Sequence, residues 1–167
     1  MKGMTNVFGE LDIKDRWNLK IIKVESNEVK NYTPIGMAYV MMRNASFEGK
    51  DISLSYKYGC VNTRDSFVVE CEENSSACII DFPGLSLLET RLLIQDCLDM
   101  GNLSYMDGGT NTTAINPGRL GDPVVNYVHF PAHMYQTLHT HPSHRVGVVI
   151  RGNGKIELDN KEFYDIN

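Results

Sequence analysis

Residues 51–61, with the sequence DISLSYKYGCV, carry the pattern that most constrains the fold. Apolar side chains at positions 52, 54, 56 and 58 alternate with Ser, Ser and Lys at 53, 55 and 57. Successive side chains of a β-strand point to opposite faces. An alternation of this kind therefore predicts a strand with one buried face and one polar face.

Other apolar runs of similar length predict further strands. The predicted strands are 18–25, 35–47, 51–61, 66–70, 77–82 and 145–150. The polar sequence CEENSS separates 66–70 from 77–82, which indicates a hairpin with a polar tip. Residues 26–34 are polar and end in proline, which indicates a connection. The sequence thus predicts an all-β chain.

Residues 86–100 predict the one helix of this chain. Ser86 and Glu89 match the capping box, in which the hydroxyl and the carboxylate satisfy the first free N–H groups of a helix. Leucines in this stretch share one helical face, and Gly101 can end the helix. A strand over 90–94 is the competing interpretation.

Residues 101–123 are rich in Gly, Asn, Thr, Asp and Pro, which is typical of a loop with at most one short strand. This stretch marks the expected internal boundary. We expect a β-rich N-terminal segment over 1–108, including the helix near 86–100, and a second segment over 109–167.

Four of the five histidines lie between Phe130 and Gly154. His139 and His141 are separated by one residue, so on a strand both imidazoles would point the same way. Neutral imidazoles suit divalent transition metals. After a turn at Pro142, the run at 145–150 predicts a strand, and the glycines that follow predict another turn.

The sequence H-x-H-P, followed by a short strand and a G-x-G turn, resembles the first motif of the cupin superfamily. His139, His141 and Gly152 occupy motif positions. Two positions depart from the motif: His133 stands where it has its first glycine, and Arg145 where it has its glutamate. That glutamate is the usual third metal ligand, a role that arginine cannot take because it has no acceptor.

The resemblance implies an all-β, cupin-like jelly-roll or β-barrel, with a pair of β-rich lobes as the alternative. It also implies a metal-dependent enzyme acting on a small acidic molecule, with a divalent Fe, Ni, Mn or Zn ion as cofactor. His139 and His141 would hold the ion, and His144 is a candidate third ligand. Tyr135 and Arg145 are the candidate substrate-binding residues.

Arg145 has two interpretations. Inside a barrel it would offer a planar fork to a carboxylate or phosphate, whereas at the start of a strand it would face solvent. Near a metal its charge would repel the cation, so Arg145 and a metal compete as explanations. A non-catalytic module that binds an anion without metal is therefore the alternative function. His133 cannot reach the same ion unless the strand bends sharply, because six residues of strand span roughly 20 Å.

The second cupin motif would supply another histidine downstream, but no histidine follows His144. We therefore expect either a fragment of a longer chain or an incomplete metal site. A barrel that stops after its first motif would leave strand edges open, and open edges pair with other chains. This predicts a homo-oligomer.

The amino-acid composition indicates which partners and which cellular compartment to expect for this protein. The chain has 167 residues, 42% of them hydrophobic, which allows a core of ordinary size. Its net charge of −5, without a basic run, argues against nucleic acid as a partner. No long apolar run predicts a membrane span or a signal sequence. The four cysteines lack close pairs, so we expect reduced thiols in a cytoplasmic protein.

Overall fold

A computed structural model describes residues 10–13, 18–85, 91–95, 100–141, 145–158 and 160–166. This part of the chain is built from antiparallel strands and contains a single 3₁₀ turn, Met106–Gly108. The strands are β1 (Glu10–Ile13), β2 (Leu19–Val24), β3 (Glu28–Tyr32), β4 (Met37–Glu48), β5 (Ser53–Thr63), β6 (Phe67–Phe82), β7 (Arg91–Gln95), β8 (Leu103–Ser104), β9 (Thr110–Ile115), β10 (Val125–His129), β11 (Gly154–Glu157) and β12 (Phe163–Ile166). The predicted all-β class is confirmed.

The largest sheet has the strand order β1-β2-β6-β4-β5-β7, and β3 also pairs with β6. In the described residues this path does not close on itself, so the cupin-like barrel stays a prediction, as does the boundary at 108. Within the same residues no helix is long and apolar enough to cross a membrane.

One face of this sheet carries the main core. Its buried side chains come from β2, β4, β5 and β6 and include Val40, Phe47, Val61, Val69 and Ile79. On β4 the side chains of this main core stand at even-numbered positions up to Met42 and at odd-numbered positions from Ala45 onwards. A bulge between Arg43 and Ala45 makes this change of parity possible. The extra residue keeps both halves of the strand facing the core.

The predicted hairpin at CEENSS is wrong, because β6 runs without a break from Phe67 to Phe82. One edge of β6 pairs with β4 along both halves, while the other edge pairs with β3 and then with β2. Asn74 has a φ of 61° at the point where the partner changes. The polar sequence therefore marks a bend inside a long strand, and not its end.

The predicted helix over 86–100 is wrong at residues 91–95, which form β7 and pair with β5. The competing strand prediction over 90–94 is confirmed in that part. Residues 86–90 and 96–99 lie outside the described residues. The run Arg91–Gln95 supplies an edge strand beside Cys60 and Val61, so pairing with β5 overrides the local helical signal.

The polar segment 26–34, predicted as a connection, contains strand β3. The loop after β3 is anchored by Asp81, which is fully buried and accepts hydrogen bonds from Tyr32 Oη at 2.9 Å, Ile35 N at 2.7 Å and Gly36 N at 3.2 Å. A Cβ at Gly36 would lie 2.0 Å from the Phe82 carbonyl oxygen, so only glycine permits this close approach.

A smaller sheet of order β10-β9-β8 lies in the C-terminal half. It packs against the second face of the large sheet, where Ile115 of β9 joins Met37, Tyr39, Cys60 and Leu85 in a buried cluster. Strands β11 and β12 form a separate two-stranded hairpin.

The strand predicted at 145–150 is wrong: none of these residues takes part in a ladder. The same holds for the described histidine segment, 131–141. These residues find no pairing partner in the part of the chain that the structure describes, so their β-branched composition is not sufficient to make a strand.

Candidate metal and ligand site

The side chains of His139 and His141 contact each other, although the backbone that carries them is not part of a β-strand. Their Nε2 atoms are 3.2 Å apart, and the ring centroids are 4.8 Å apart at an interplanar angle of 86°. His139 is half-buried and His141 is exposed. The predicted juxtaposition of these two side chains is therefore present, on an open surface and outside a sheet.

The backbone carbonyl of Thr137 orients the imidazole ring of His139. The Thr137 carbonyl lies 2.7 Å from His139 Nδ1. Since a carbonyl oxygen only accepts, Nδ1 of His139 carries the hydrogen and its Nε2 keeps a lone pair. Thr137 is itself held, because its N–H donates to Asp107 Oδ2 at 2.7 Å.

Asp107 is a positioning residue that sequence reasoning missed. It lies in the 3₁₀ turn between β8 and β9 with a φ of 56°, a conformation that Asp and Asn adopt more readily than most residues. Its carboxylate connects the histidine segment to the small sheet. The Asp-Gly-Gly sequence signals a turn, but nothing in the sequence indicates that the carboxylate reaches Thr137.

Arg145 lies beside His141. Its Nη2 is 3.3 Å from His141 Nδ1. An arginine only donates, so Nδ1 of His141 accepts and its Nε2 carries the hydrogen, which is then donated to His139 Nε2. A continuous relay thus runs from Arg145 through both neutral imidazoles to the Thr137 carbonyl.

The electrostatics agree with this relay. The pKa of His141 is lowered, first by desolvation, then by the Arg145 charge and by the neighbouring His139. Each of these effects disfavours the imidazolium form. Arg145 is exposed, and His141 is its one hydrogen-bond partner within the described residues.

Tyr135, the second predicted ligand-binding residue, is 73% exposed. Its hydroxyl donates to Glu157 Oε2 on β11 at 3.2 Å, and this hydrogen bond is the main cause of its raised pKa. In the described contacts Tyr135 does not join the two histidines or Arg145. His144, the candidate third ligand, lies outside the described residues together with Pro142 and Ser143.

A second arginine anchors the far end of the segment. Arg43 of β4 donates from Nη1 to the carbonyl of Ile150 at 3.2 Å. Arg43 lies at the bulge of β4, so the irregularity in the large sheet also provides the donor that holds residues 145–150. Sequence patterns gave no sign of this contact, which joins residues 107 positions apart.

The separation of the two Nε2 atoms suits two ligands of one metal ion, provided that the hydrogen between them leaves His141 Nε2. Imidazole nitrogens bind Zn²⁺ at about 2.0–2.1 Å, so two nitrogens separated by 3.2 Å would subtend an angle of roughly 100° at the ion. His139 already has the tautomer and the carbonyl partner that metal-binding histidines commonly show. No group of three or more His, Cys, Asp or Glu side chains suited to a metal occurs in the described residues.

Comparisons with known proteins give no relative for this chain: no family model, curated protein or solved structure matches it.

Proposed function

We propose that this chain is a cupin-like protein that binds a small acidic molecule and a divalent transition-metal ion at His139 and His141. The 3.2 Å approach of the two Nε2 atoms, with His139 oriented by the Thr137 carbonyl, carries this proposal. His144 remains the candidate third ligand, and Fe, Ni, Mn and Zn are the candidate ions. When bound, the ion would supply Lewis acidity toward an oxygen of the small molecule.

The chain's own residues have separable tasks in this proposal. His139 and His141 would bind the ion, Thr137 and Asp107 would orient His139, and Arg145 would pair with the carboxylate of the small molecule. An arginine suits that last task because its guanidinium forms bidentate, charge-assisted hydrogen bonds with carboxylates.

A titration with Zn²⁺ or Ni²⁺ followed by elemental analysis tests the metal site. With two or three protein ligands, we expect weak binding that a chelator reverses. His139→Ala and His141→Ala should each abolish it, because a single imidazole does not hold the ion. His133→Ala is the matched control: His133 is exposed, and no contact joins it to the pair in the described residues. Equal binding by all four proteins would disprove the metal site.

A second candidate function is an anion-binding module without metal. The observation that favours it is the hydrogen bond from Arg145 to His141, which places a positive charge at the pair. In that case acetate or phosphate should raise the melting temperature of metal-free protein, by mass action. Arg145→Glu should abolish the shift. An unchanged melting temperature in wild type would remove this candidate.

We further propose that the protein works in the cytoplasm as a homo-oligomer. Cys60, Cys71 and Cys78 are free, buried thiols, which suits a reducing compartment. Burial raises the pKa of Cys60 and of Cys78 to about 12, so both remain unreactive thiols. Support for self-association comes from the strand edges and from the unpaired segment 145–150.

A further inference from the structure

In the hydrogen-bonded relay, the lone pair of His141 points in the wrong direction for metal binding. Arg145 donates to His141 Nδ1, which places the hydrogen of the neutral ring on Nε2. The Nε2 atom then faces His139 as a donor at 3.2 Å. A nitrogen that carries a hydrogen cannot ligate an ion, so in this arrangement only His139 offers a lone pair at the point of convergence.

Metal binding at both histidines requires His141 to exchange its hydrogen from Nε2 to Nδ1. The Nδ1–H would then face the Arg145 guanidinium at 3.3 Å, donor against donor. In addition, the guanidinium charge would lie one imidazole ring away from the cation. The contact between two donors and the repulsion between two positive charges both disfavour metal binding. Arg145 must therefore move away from His141 before the pair can hold an ion.

Arg145 is free to leave, because its side chain is exposed and is held by one hydrogen bond among the described residues. A carboxylate offers it a better partner than a neutral imidazole, through two charge-assisted hydrogen bonds. An acidic molecule that draws Arg145 away would release His141 Nδ1 and allow the ring to take the metal-binding tautomer.

We infer that Arg145 is an internal competitor of the metal ion, and that a carboxylate ligand and the metal therefore bind with positive coupling. This inference rests on the proposed function and specifies how its two ligands depend on each other. The ion binds tightly only when the acidic molecule is bound to Arg145. Because coupling of binding free energies is reciprocal, the metal must also raise the affinity for the carboxylate.

Calorimetric titration with Zn²⁺, with and without acetate, tests this coupling. Arg145→Gln should bind Zn²⁺ at least about fivefold more tightly than wild type in the absence of acetate. Acetate should tighten Zn²⁺ binding by wild type and not by Arg145→Gln. Acetate also complexes zinc in solution, but this effect is the same for both proteins and cancels in the comparison.

Arg151→Gln is the charge-matched control, since Arg151 is exposed and lies in the same part of the chain. It should behave as wild type. Long-range ¹H–¹⁵N spectra of the metal-free protein give a second readout. They should show the hydrogen of His141 on Nε2 in wild type and a shift toward Nδ1 in Arg145→Gln.

The outcomes separate the inference from the proposed function. If His141→Ala abolishes Zn²⁺ binding while Arg145→Gln and wild type bind equally, with or without acetate, the coupling is wrong and the metal site stands. If neither wild type nor Arg145→Gln binds Zn²⁺, the metal site itself is wrong and the coupling falls with it. Complexation by acetate lowers the apparent affinity for Zn²⁺, so tighter Zn²⁺ binding by wild type in acetate supports the coupling even where Arg145→Gln fails to fold. A wild-type affinity that is unchanged after correction for complexation overturns it.

Discussion

At the residue scale, Asp81 shows how one buried carboxylate fixes a connection. It is fully buried in β6 and accepts hydrogen bonds from the Tyr32 hydroxyl and from two backbone N–H groups of the loop before β4. No lysine or arginine contributes to these bonds. Backbone donors take the place of a counter-ion, as they do at many buried carboxylates.

Asp81→Ala should lower the free energy of unfolding by about 3 kcal/mol, because it leaves the two backbone donors without this acceptor. Asp81→Asn retains one acceptor oxygen and should lose less. Urea unfolding monitored by fluorescence measures both. Glu70→Ala, at an exposed position of the same strand, should stay within about 0.5 kcal/mol of wild type. A loss of similar size at Glu70 would contradict the role assigned to Asp81.

The pKa of His141 leads to a prediction about pH. Desolvation, Arg145 and His139 lower it from 6.5, so the folded state favours the neutral ring. Below pH 6.5 the unfolded chain then binds more protons, and stability falls as pH decreases from 6.5 through the folded-state pKa.

Proton NMR of the imidazole Cε1–H signals measures this midpoint in metal-free protein. The His141 midpoint should lie below 6.5 in wild type and move upward in Arg145→Gln, since one of the three causes has been removed. A midpoint at or above 6.5 in wild type would contradict the relay, because it would mean that the ring gains a proton on folding.

The sequence could predict the histidine pair but not its surroundings. Side chains at positions i and i+2 of extended backbone point the same way whether or not a neighbouring strand is present, so the convergence of His139 and His141 did not depend on the strand prediction. Thr137 and Arg145 contact the pair from within the same irregular segment, whose conformation no periodic pattern indicates. Asp107 contacts Thr137 from a loop 30 residues away, and this contact depends on where two loops lie in space.

At the element scale, strands with strict alternation or sustained apolar character could be predicted, and β2, β4 and β5 confirm this. Two of the failures, at residues 26–34 and at CEENSS, occurred where polar residues lie within a strand. In β6, Ser75 is only 2% exposed, and its hydroxyl donates to the Asn44 carbonyl at 2.8 Å. A serine whose hydroxyl is hydrogen-bonded in this way can be buried within a sheet, although the polar sequence around it is typical of a turn.

The bend of β6 leads to a prediction about Asn74, whose φ is 61°. A β-branched residue tolerates this left-handed conformation poorly, so Asn74→Val should cost roughly 1–2 kcal/mol in urea unfolding. Asn74→Gly should remain close to wild type, because glycine adopts this conformation without strain. Glu73→Val is the matched control, since residue 73 is exposed and lacks a positive φ. If both valine variants cost the same, the backbone conformation is not the cause.

At the scale of the whole molecule, the described chain combines a large, well-buried sheet with a C-terminal part that is open. The core lies in β2, β4, β5 and β6. The candidate site lies on segments without ladder partners among the described residues. Individual hydrogen bonds hold them: Thr137 N–H donates to Asp107, the Tyr135 hydroxyl to Glu157, and Arg43 to the Ile150 carbonyl. All-β architecture followed from local patterns. The order of strands did not, because it depends on pairing between distant segments.

Residues 145–148 are exposed, and the run 145–150 lacks a ladder partner among the described residues; these two features predict self-association. This run is rich in β-branched residues, has no ladder partner among the described residues, and exposes Val146 and Val148. Unpaired backbone next to exposed apolar side chains is a template for a strand of a second molecule. Light scattering coupled to size-exclusion chromatography should therefore show a dimer or larger species at tens of micromolar.

Val148→Lys should shift the population toward monomer, because lysine on an edge disfavours pairing. Leu120→Lys, at a fully exposed loop position outside this segment, should leave the mass unchanged. A monomeric wild type, or equal effects of the two lysine variants, would show that residues 145–150 do not mediate association.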